Sequence, residues 1–258
     1  MKLTFVHLFP DKMNIYGDWG NIEALKRRTT LRGVEFEYLP INKSSDFHLI
    51  EQGDVFFFGG GQDRDQMDVW NEIKSSGGAF RTNIEAAVNA NKVFLLICGG
   101  YQMFGNFFID SIGQNIPGLG ILDIETKALG PQVSTRCIGN IVVKTDLPIL
   151  PKTLVGFENH GGQTYFGSKS TELKPLGKVI VGRGNNLIDG VEGCIFKNIF
   201  GSYMHGSLLP KNPHFADYLI KLSLKNKYHH IDELVKLDDH LEMKAHNKMI
   251  KIMGLWHY

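Results

Sequence analysis

Leu95-Leu96-Ile97-Cys98-Gly99-Gly100-Tyr101-Gln102 sets the architecture expected of this chain. An apolar strand runs straight into a cysteine, two glycines and then a helical pattern. Strand, sharp turn and helix is the context in which α/β enzymes expose a nucleophile. The turn carries Sγ to the C-terminal edge of the sheet, where open α/β sheets place their sites. A helix starting there favours the thiolate, and the Gly99 amide points at an oxyanion forming on an attacked carbonyl. A lone cysteine is most often a buried structural thiol, and the paired glycines set Cys98 apart from that default. Cys137 and Cys194 lie inside apolar strand patterns with no such turn and are read as core thiols.

Working outward, the first half alternates strand and helix signals. Leu3–Phe9, Val34–Leu39, Asp54–Phe58 and Lys92–Ile97 read as strands, the last two almost wholly apolar. Asn21–Leu31 reads as a helix with Ile22, Leu25 and Leu31 on one side and Gly33 as its stop, and Ala79–Asn89 as another. Apolar runs alternating with amphipathic helices predict a parallel sheet covered on both faces. From Gly118 to Ile195 the text becomes strand-and-turn, with Cys137–Val143, Lys178–Val181 and Gly190–Phe196 as examples. These are expected to be mixed or antiparallel strands extending the same sheet. The end returns to helix, at Pro213–Leu224 and in a charged, solvated helical tail over Ile231–Met253.

The 258 residues are fewer than two average domains of roughly 150 residues. With no repeat and no low-complexity linker, one domain over 1–258 is expected, its core at about 3–225 and its helical tail at about 231–258. The 28 basic and 27 acidic side chains leave a formal charge of +1, which argues against a charge-driven nucleic-acid binder or a polybasic membrane-surface protein. The three cysteines imply no disulfide framework, so a cytoplasmic compartment is expected. No apolar run approaches the roughly 18 residues needed to span a bilayer, and the N-terminus lacks a signal-peptide pattern.

A nucleophilic cysteine needs a base. His205, in Ile199-Phe200-Gly201-Ser202-Tyr203-Met204-His205-Gly206, ends a short apolar strand much as Cys98 does, so the two are expected to meet. His160, in Gly156-Phe157-Glu158-Asn159-His160-Gly161-Gly162, is the second candidate. His229 and His230 read as a solvated face and His7 as a core or rim histidine. The strand Phe56-Phe57-Phe58 ends in Gly59-Gly60-Gly61-Gln62-Asp63, where backbone amides can approach a ligand closely. That loop fits a phosphate cradle, half of an oxyanion hole or a plain turn. It is not a Walker A loop, no G-x-G-x-x-G opens a helix, and no Cys/His spacing suggests a metal.

Cys98-x-Gly100-x-Gln102, the earlier triple glycine and the late strand-end histidine together resemble class I glutamine amidotransferases. Cys98–Gly105 and Tyr203-x-His205-Gly206 resemble their cobyric-acid-synthase-like branch. Met13-Asn14-x-Tyr16-Gly17-Asp18-x-Gly20-Asn21, Gly59–Asp63, Gly156–His160 and Gly201–Gly206 are most similar to the glutaminase subunits of lipid II isoglutaminyl synthase. The resemblance runs from about residue 3 to residue 225. It implies a flavodoxin-like α/β fold with a central, mostly parallel sheet, flanking helices and added antiparallel strands. It also implies a glutaminase that feeds ammonia to a separate Mur-ligase-like subunit in a heterodimer. That partner would use ATP, with Mg, to amidate the D-glutamate α-carboxylate of lipid II, and this chain would hold no cofactor. A corrin carboxylate as acceptor, or a non-catalytic assembly module, are the competing readings.

Carried over residue by residue, the resemblance makes Cys98 the nucleophile on L-glutamine and His205 its acid and base. The amides of Gly99 and of one glycine among Gly59–Gly61, with Gly60 and Gly61 foremost, become the oxyanion donors. Arg136, in Thr135-Arg136-Cys137, becomes the grip on the glutamine, a role suited to a bidentate guanidinium, and Gln102 a lining residue. The family usually places a glutamate two residues after the histidine, and here that position is Ser207. The third member of the triad is then Glu158, another local carboxylate, or an acid from the partner. The last option implies that the isolated subunit is a poor glutaminase.

Overall fold

The computed structural model describes residues 1–130, 136–231 and 233–255. Thr135, Asp232 and the last three residues of the expected tail lie outside them. The chain runs β1 (Lys2–Leu8), α1 (Trp19–Thr30), β2 (Glu35–Ile41), a 3₁₀ segment (Ser44–Gln52), β3 (Val55–Phe58), α2 (Asp63–Ser75), α3 (Ala79–Asn89), β4 (Val93–Ile97) and α4 (Gly99–Met103). It continues through β5 (Phe107–Ile109), β6 (Asn115–Pro117), β7 (Ile124–Ala128), β8 (Cys137–Lys144), β9 (Thr153–His160), β10 (Gly162–Phe166), β11 (Gly177–Val181), β12 (Val191–Glu192), β13 (Cys194–Phe196), β14 (Ile199–Ser202) and β15 (Met204–His205). Helices α5 (Pro213–Tyr228) and α6 (His240–Ile252) close it.

The main sheet has the order β13-β14-β4-β3-β1-β2. All its neighbours are parallel except the edge pair β13–β14. Every residue of β3 and β4 is buried, as a parallel strand covered on both faces requires. The α/β class with a mostly parallel sheet is therefore the one expected. The first-half strands and α3 fall where the pattern put them. Leu31, assigned to the buried side of α1, is instead more than half exposed, because α1 ends at Thr30 and Leu31 turns outward as its cap.

Two expectations change. The glycine-rich middle does not extend the main sheet. Among its described residues only β13 joins that sheet, antiparallel to β14, while its other strands fall, with β5, β6 and β15, into a four-stranded sheet (β10-β7-β5-β6) and a five-stranded antiparallel sheet (β12-β11-β8-β9-β15). The β8–β9 pair alone is in register over eight residue pairs, so these strands satisfy their backbone groups among themselves. The helical tail begins at His240 rather than Ile231. Residues 233–239 run as a strap, held by Arg28 to Asp239 at 2.6 Å and Arg32 Nε to the Val235 carbonyl at 2.8 Å. Nor is α6 a solvated helix: His246 and Ile250 are buried beneath it.

Helix α2 was missed. Its one apolar stripe is thin, and the buried position nearest the site is Gln66, which reads as solvent-facing in sequence. The helix is nucleated by a reciprocal cap between Gln62 and Asp65.

Among the described residues no helix is long and apolar enough to cross a membrane.

Candidate active site

The segments that follow β1, β3 and β4, together with the β9–β10 corner, line one cavity of about 650 Å³. At the end of β4, Cys98 adopts φ 50°, ψ −103°, a left-handed conformation costly for a side chain with a Cβ. The strain is held from both sides. The Cys98 amide donates to the Ser202 carbonyl at 2.8 Å, continuing the β4–β14 pairing. Gly100 donates to the Gly59 carbonyl at 3.0 Å. A Cβ on Gly100 would lie 2.5 Å from the Phe58 carbonyl oxygen, so only glycine lets the turn press against β3. Both Cys98 and Gln102 line the cavity, with Arg136 and Gly61.

His205 arrives by a different route. After Ser202 the chain leaves the main sheet, and Met204–His205 pairs with Phe157–Glu158 of the five-stranded sheet. The corner is braced by Glu192, fully buried, whose Oε1 accepts Ser202 Oγ–H and the Tyr203 amide, both at 2.7 Å. Burial pushes the Glu192 carboxyl up to about 7 despite these donors.

His205 is itself fully buried, and its Nδ1 lies 3.3 Å from Asp18 Oδ1. Its Nε2 makes no hydrogen bond of regular geometry, and the Cys98 sulfur lies beside the ring. Burial by itself depresses the imidazole pKa, but the Cys98 sulfur and the Asp18 carboxylate outweigh it and raise the pKa to about 10. Tyr16 packs edge-on to the ring, with centroids 5.0 Å apart.

Asp18 is the residue that sequence reasoning missed as a partner of the histidine. It lies just ahead of α1, is fully buried, and its second oxygen accepts the Gly60 amide at 2.7 Å. Ser207, at the position where a glutamate was looked for, donates instead to the Gly17 carbonyl and so ties the histidine loop to the loop carrying Asp18. The signal was present in Tyr16-Gly17-Asp18, but nothing local says that residue 18 faces residue 205. Glu158 is elsewhere: both its oxygens are held by the amides of Arg183 and Gly184, at 2.8 and 2.9 Å.

The triple-glycine loop divides its work. The Gly60 amide is committed to Asp18, so it is not free for a ligand. Gly61 lines the cavity, and a Cβ on Gly99 would sit 3.1 Å from the Gly61 nitrogen. The Gly61 and Gly99 amides are thus neighbours beside Cys98, the arrangement an oxyanion needs.

His160 lines the same cavity but is no base. It stacks on Tyr203 at 3.7 Å, its Nδ1 lies 2.7 Å from the Gly162 carbonyl, and burial holds its pKa down at about 3. Gln102 is braced on both ends: Oε1 accepts Gln66 Nε2 at 3.1 Å and Nε2 donates to Tyr203 OH at 3.1 Å. Arg136 is exposed at the same cavity, with Nη2 donating to Asn159 Oδ1 at 3.0 Å. Cys137 and Cys194 are fully buried, and burial raises both thiols, Cys194 to about 12.

A family model described as the CobB/CobQ-like glutamine amidotransferase domain matches residues 4–213. The chain belongs to this family. It is 38% identical over 226 residues to the "Lipid II isoglutaminyl synthase (glutamine-hydrolyzing) subunit GatD" of Staphylococcus aureus, covering 88% of this chain and 86% of that one. The protein of the same name from Streptococcus pneumoniae is 35% identical over 94% of this chain and 88% of its own. A probable cobyric acid synthase of Methanothermobacter thermautotrophicus is 34% identical, but over only 55% of this chain and 28% of its own. Among solved structures, a glutamine amidotransferase of Thermotoga maritima aligns over 98% of this chain and 94% of its own, with a TM-score of 0.53 at 16% identity. The glutaminase domain of Trypanosoma brucei CTPS gives 0.54 at 12%, over 86% and 94%. At these identities the two structures speak for the fold, and the amidotransferase assignment rests on the sequence relatives.

Proposed function

We propose that the chain is the glutaminase subunit of a two-subunit amidotransferase, in which Cys98 and His205 hydrolyse L-glutamine. The observation that carries the reading is the meeting of a strained strand-end cysteine with a buried histidine at the mouth of the parallel sheet. Sγ attacks the carboxamide carbon, and the oxygen gathers negative charge against the Gly61 and Gly99 amides. As the C–N bond breaks, the proton on His205 passes to nitrogen and ammonia leaves. A γ-glutamyl thioester remains on Cys98. His205, now neutral, takes a proton from water, the hydroxide attacks the thioester, and glutamate departs with the thiolate restored. Asp18 does not touch the substrate. It is a positioning residue that holds Nδ1 and favours the protonated ring. Arg136 grips the α-carboxylate of the glutamine.

The amide acceptor comes from the relatives' printed names and not from this cavity. Two of them, matched along nearly their whole length, are lipid II isoglutaminyl synthase subunits. The reading is therefore that ammonia passes to a Mur-ligase-like, ATP- and Mg-dependent partner in the cytoplasm, which converts the D-glutamate α-carboxylate of lipid II to the amide. The test is co-purification with that partner and amidation of lipid II. Glutamine should support amidation by the native pair, and Cys98→Ala should abolish it while free ammonium still supports it. Survival of glutamine-dependent amidation in Cys98→Ala would sink the reading.

A further inference from the structure

Arg136 accounts for only half of what a free amino acid presents. Glutamine carries its α-ammonium on the same carbon as the α-carboxylate, so a guanidinium holding the carboxylate brings the ammonium close by. A buried or half-buried ammonium without an acceptor weakens binding. Asp63, exposed at the cavity, lines it together with Cys98 and Arg136. Asp63 opens α2, yet the cap of that helix is made by Gln62 and Asp65, so Asp63 has no capping task.

Among the described residues the Asp63 carboxylate makes no hydrogen bond and no ion pair. It nevertheless lies within the electrostatic reach of Arg136, which draws its pKa down against the larger upward push of burial and of Asp110. Asp110 is already engaged, its Oδ1 accepting the amides of Ile112 and Gln114 at 3.0 and 2.8 Å. An unpaired carboxylate and a guanidinium thus line the same cavity as the nucleophile.

We infer that Asp63 receives the α-ammonium of the glutamine, so that Arg136 and Asp63 together read its zwitterion. This rests on the glutaminase reading above and deepens it. It assigns substrate specificity to the first residue of α2. It also selects against γ-carboxamides whose α-nitrogen is absent or acylated, because they forgo the ion pair with Asp63.

The test uses the full chain with its partner subunit and two substrates, L-glutamine and glutaramate, which lacks only the α-ammonium. The native enzyme should prefer glutamine strongly in kcat/KM. Asp63→Asn should lower kcat/KM for glutamine about 10- to 100-fold, mostly through KM, and leave glutaramate unchanged or improved. Alkylation of Cys98 by iodoacetamide at the native rate would show the nucleophile intact in that variant. Equal turnover of glutaramate and glutamine by the native enzyme would overturn the inference without any variant. So would an Asp63→Asn enzyme in which both substrates fall together or neither changes. A native complex that releases no glutamate from glutamine would overturn the amidotransferase reading itself, and the inference with it.

Discussion

At the residue scale, the site turns on one carboxylate. Asp18 is fully buried, with one oxygen on the His205 ring and the other on the Gly60 amide. Asp18→Asn preserves the shape but removes the charge that helps to keep the ring protonated. The expected result is a fall of about 10- to 100-fold in glutaminase kcat/KM, with the alkaline limb of its pH profile moved toward lower pH. The direction follows from His205: its pKa is raised, so a lost anion lets the ring lose its proton sooner as pH climbs. An alkaline limb that stays in place would show that Asp18 does not support the histidine. Cys98 and His205 were legible in the sequence because each is a polar residue at the end of a short apolar strand beside glycine. Asp18 was not, because its meaning depends on a contact 187 positions away. Gly60 could not be separated from Gly61 either, since only the fold shows which amide is already taken.

At the element scale, the turn between β4 and α4 is a matter of clearance. Gly100→Ala would drive a methyl to 2.5 Å from the Phe58 carbonyl, and backbone cannot yield as a side chain does. A displacement of Cys98 of about 1 Å suffices to cost about 100-fold in rate. Glutaminase activity should fall at least that far, read together with a lower melting temperature. A variant with native activity would mean that the turn tolerates a side chain. Strand–turn–helix was readable because periodicity changes abruptly at Cys98. The separation of the middle strands into two further sheets was not. Alternating patterns state which face of a strand is apolar, but not which neighbour it pairs with. The same limit hid α2, whose buried Gln66 bonds to the Gly61 carbonyl and Gln102 and so interrupts the apolar stripe.

At the scale of the whole molecule, several histidines are buried uncharged. Burial holds His7 and His160 near 3 and His214 near 4, and lowers His246. The unfolded chain binds protons at these sites near pH 6.5 while the folded chain refuses them. Stability from these groups is therefore complete above about pH 6.5 and declines as pH falls, on the order of 2 kcal/mol each for His7, His160 and His214 by pH 5. His205 acts in the opposite sense: its contribution is complete below about pH 6.5 and fades as pH rises toward 10. Denaturant midpoints should consequently drop between pH 7 and pH 5, and a midpoint constant across that window would contradict the buried neutral state. One of these histidines also joins distant parts of the chain. His246 of α6 bonds to Thr153 Oγ1 and to the Lys211 carbonyl, each at 2.9 Å, and Lys211 Nζ reaches the Gly206 carbonyl at 2.6 Å. The family model stops at residue 213, so a protein trimmed to that boundary would keep Lys211 on Gly206 yet lose the α6 histidine that holds Lys211 in place. The boundary of the family domain, in this molecule, is shorter than the architecture that supports its site.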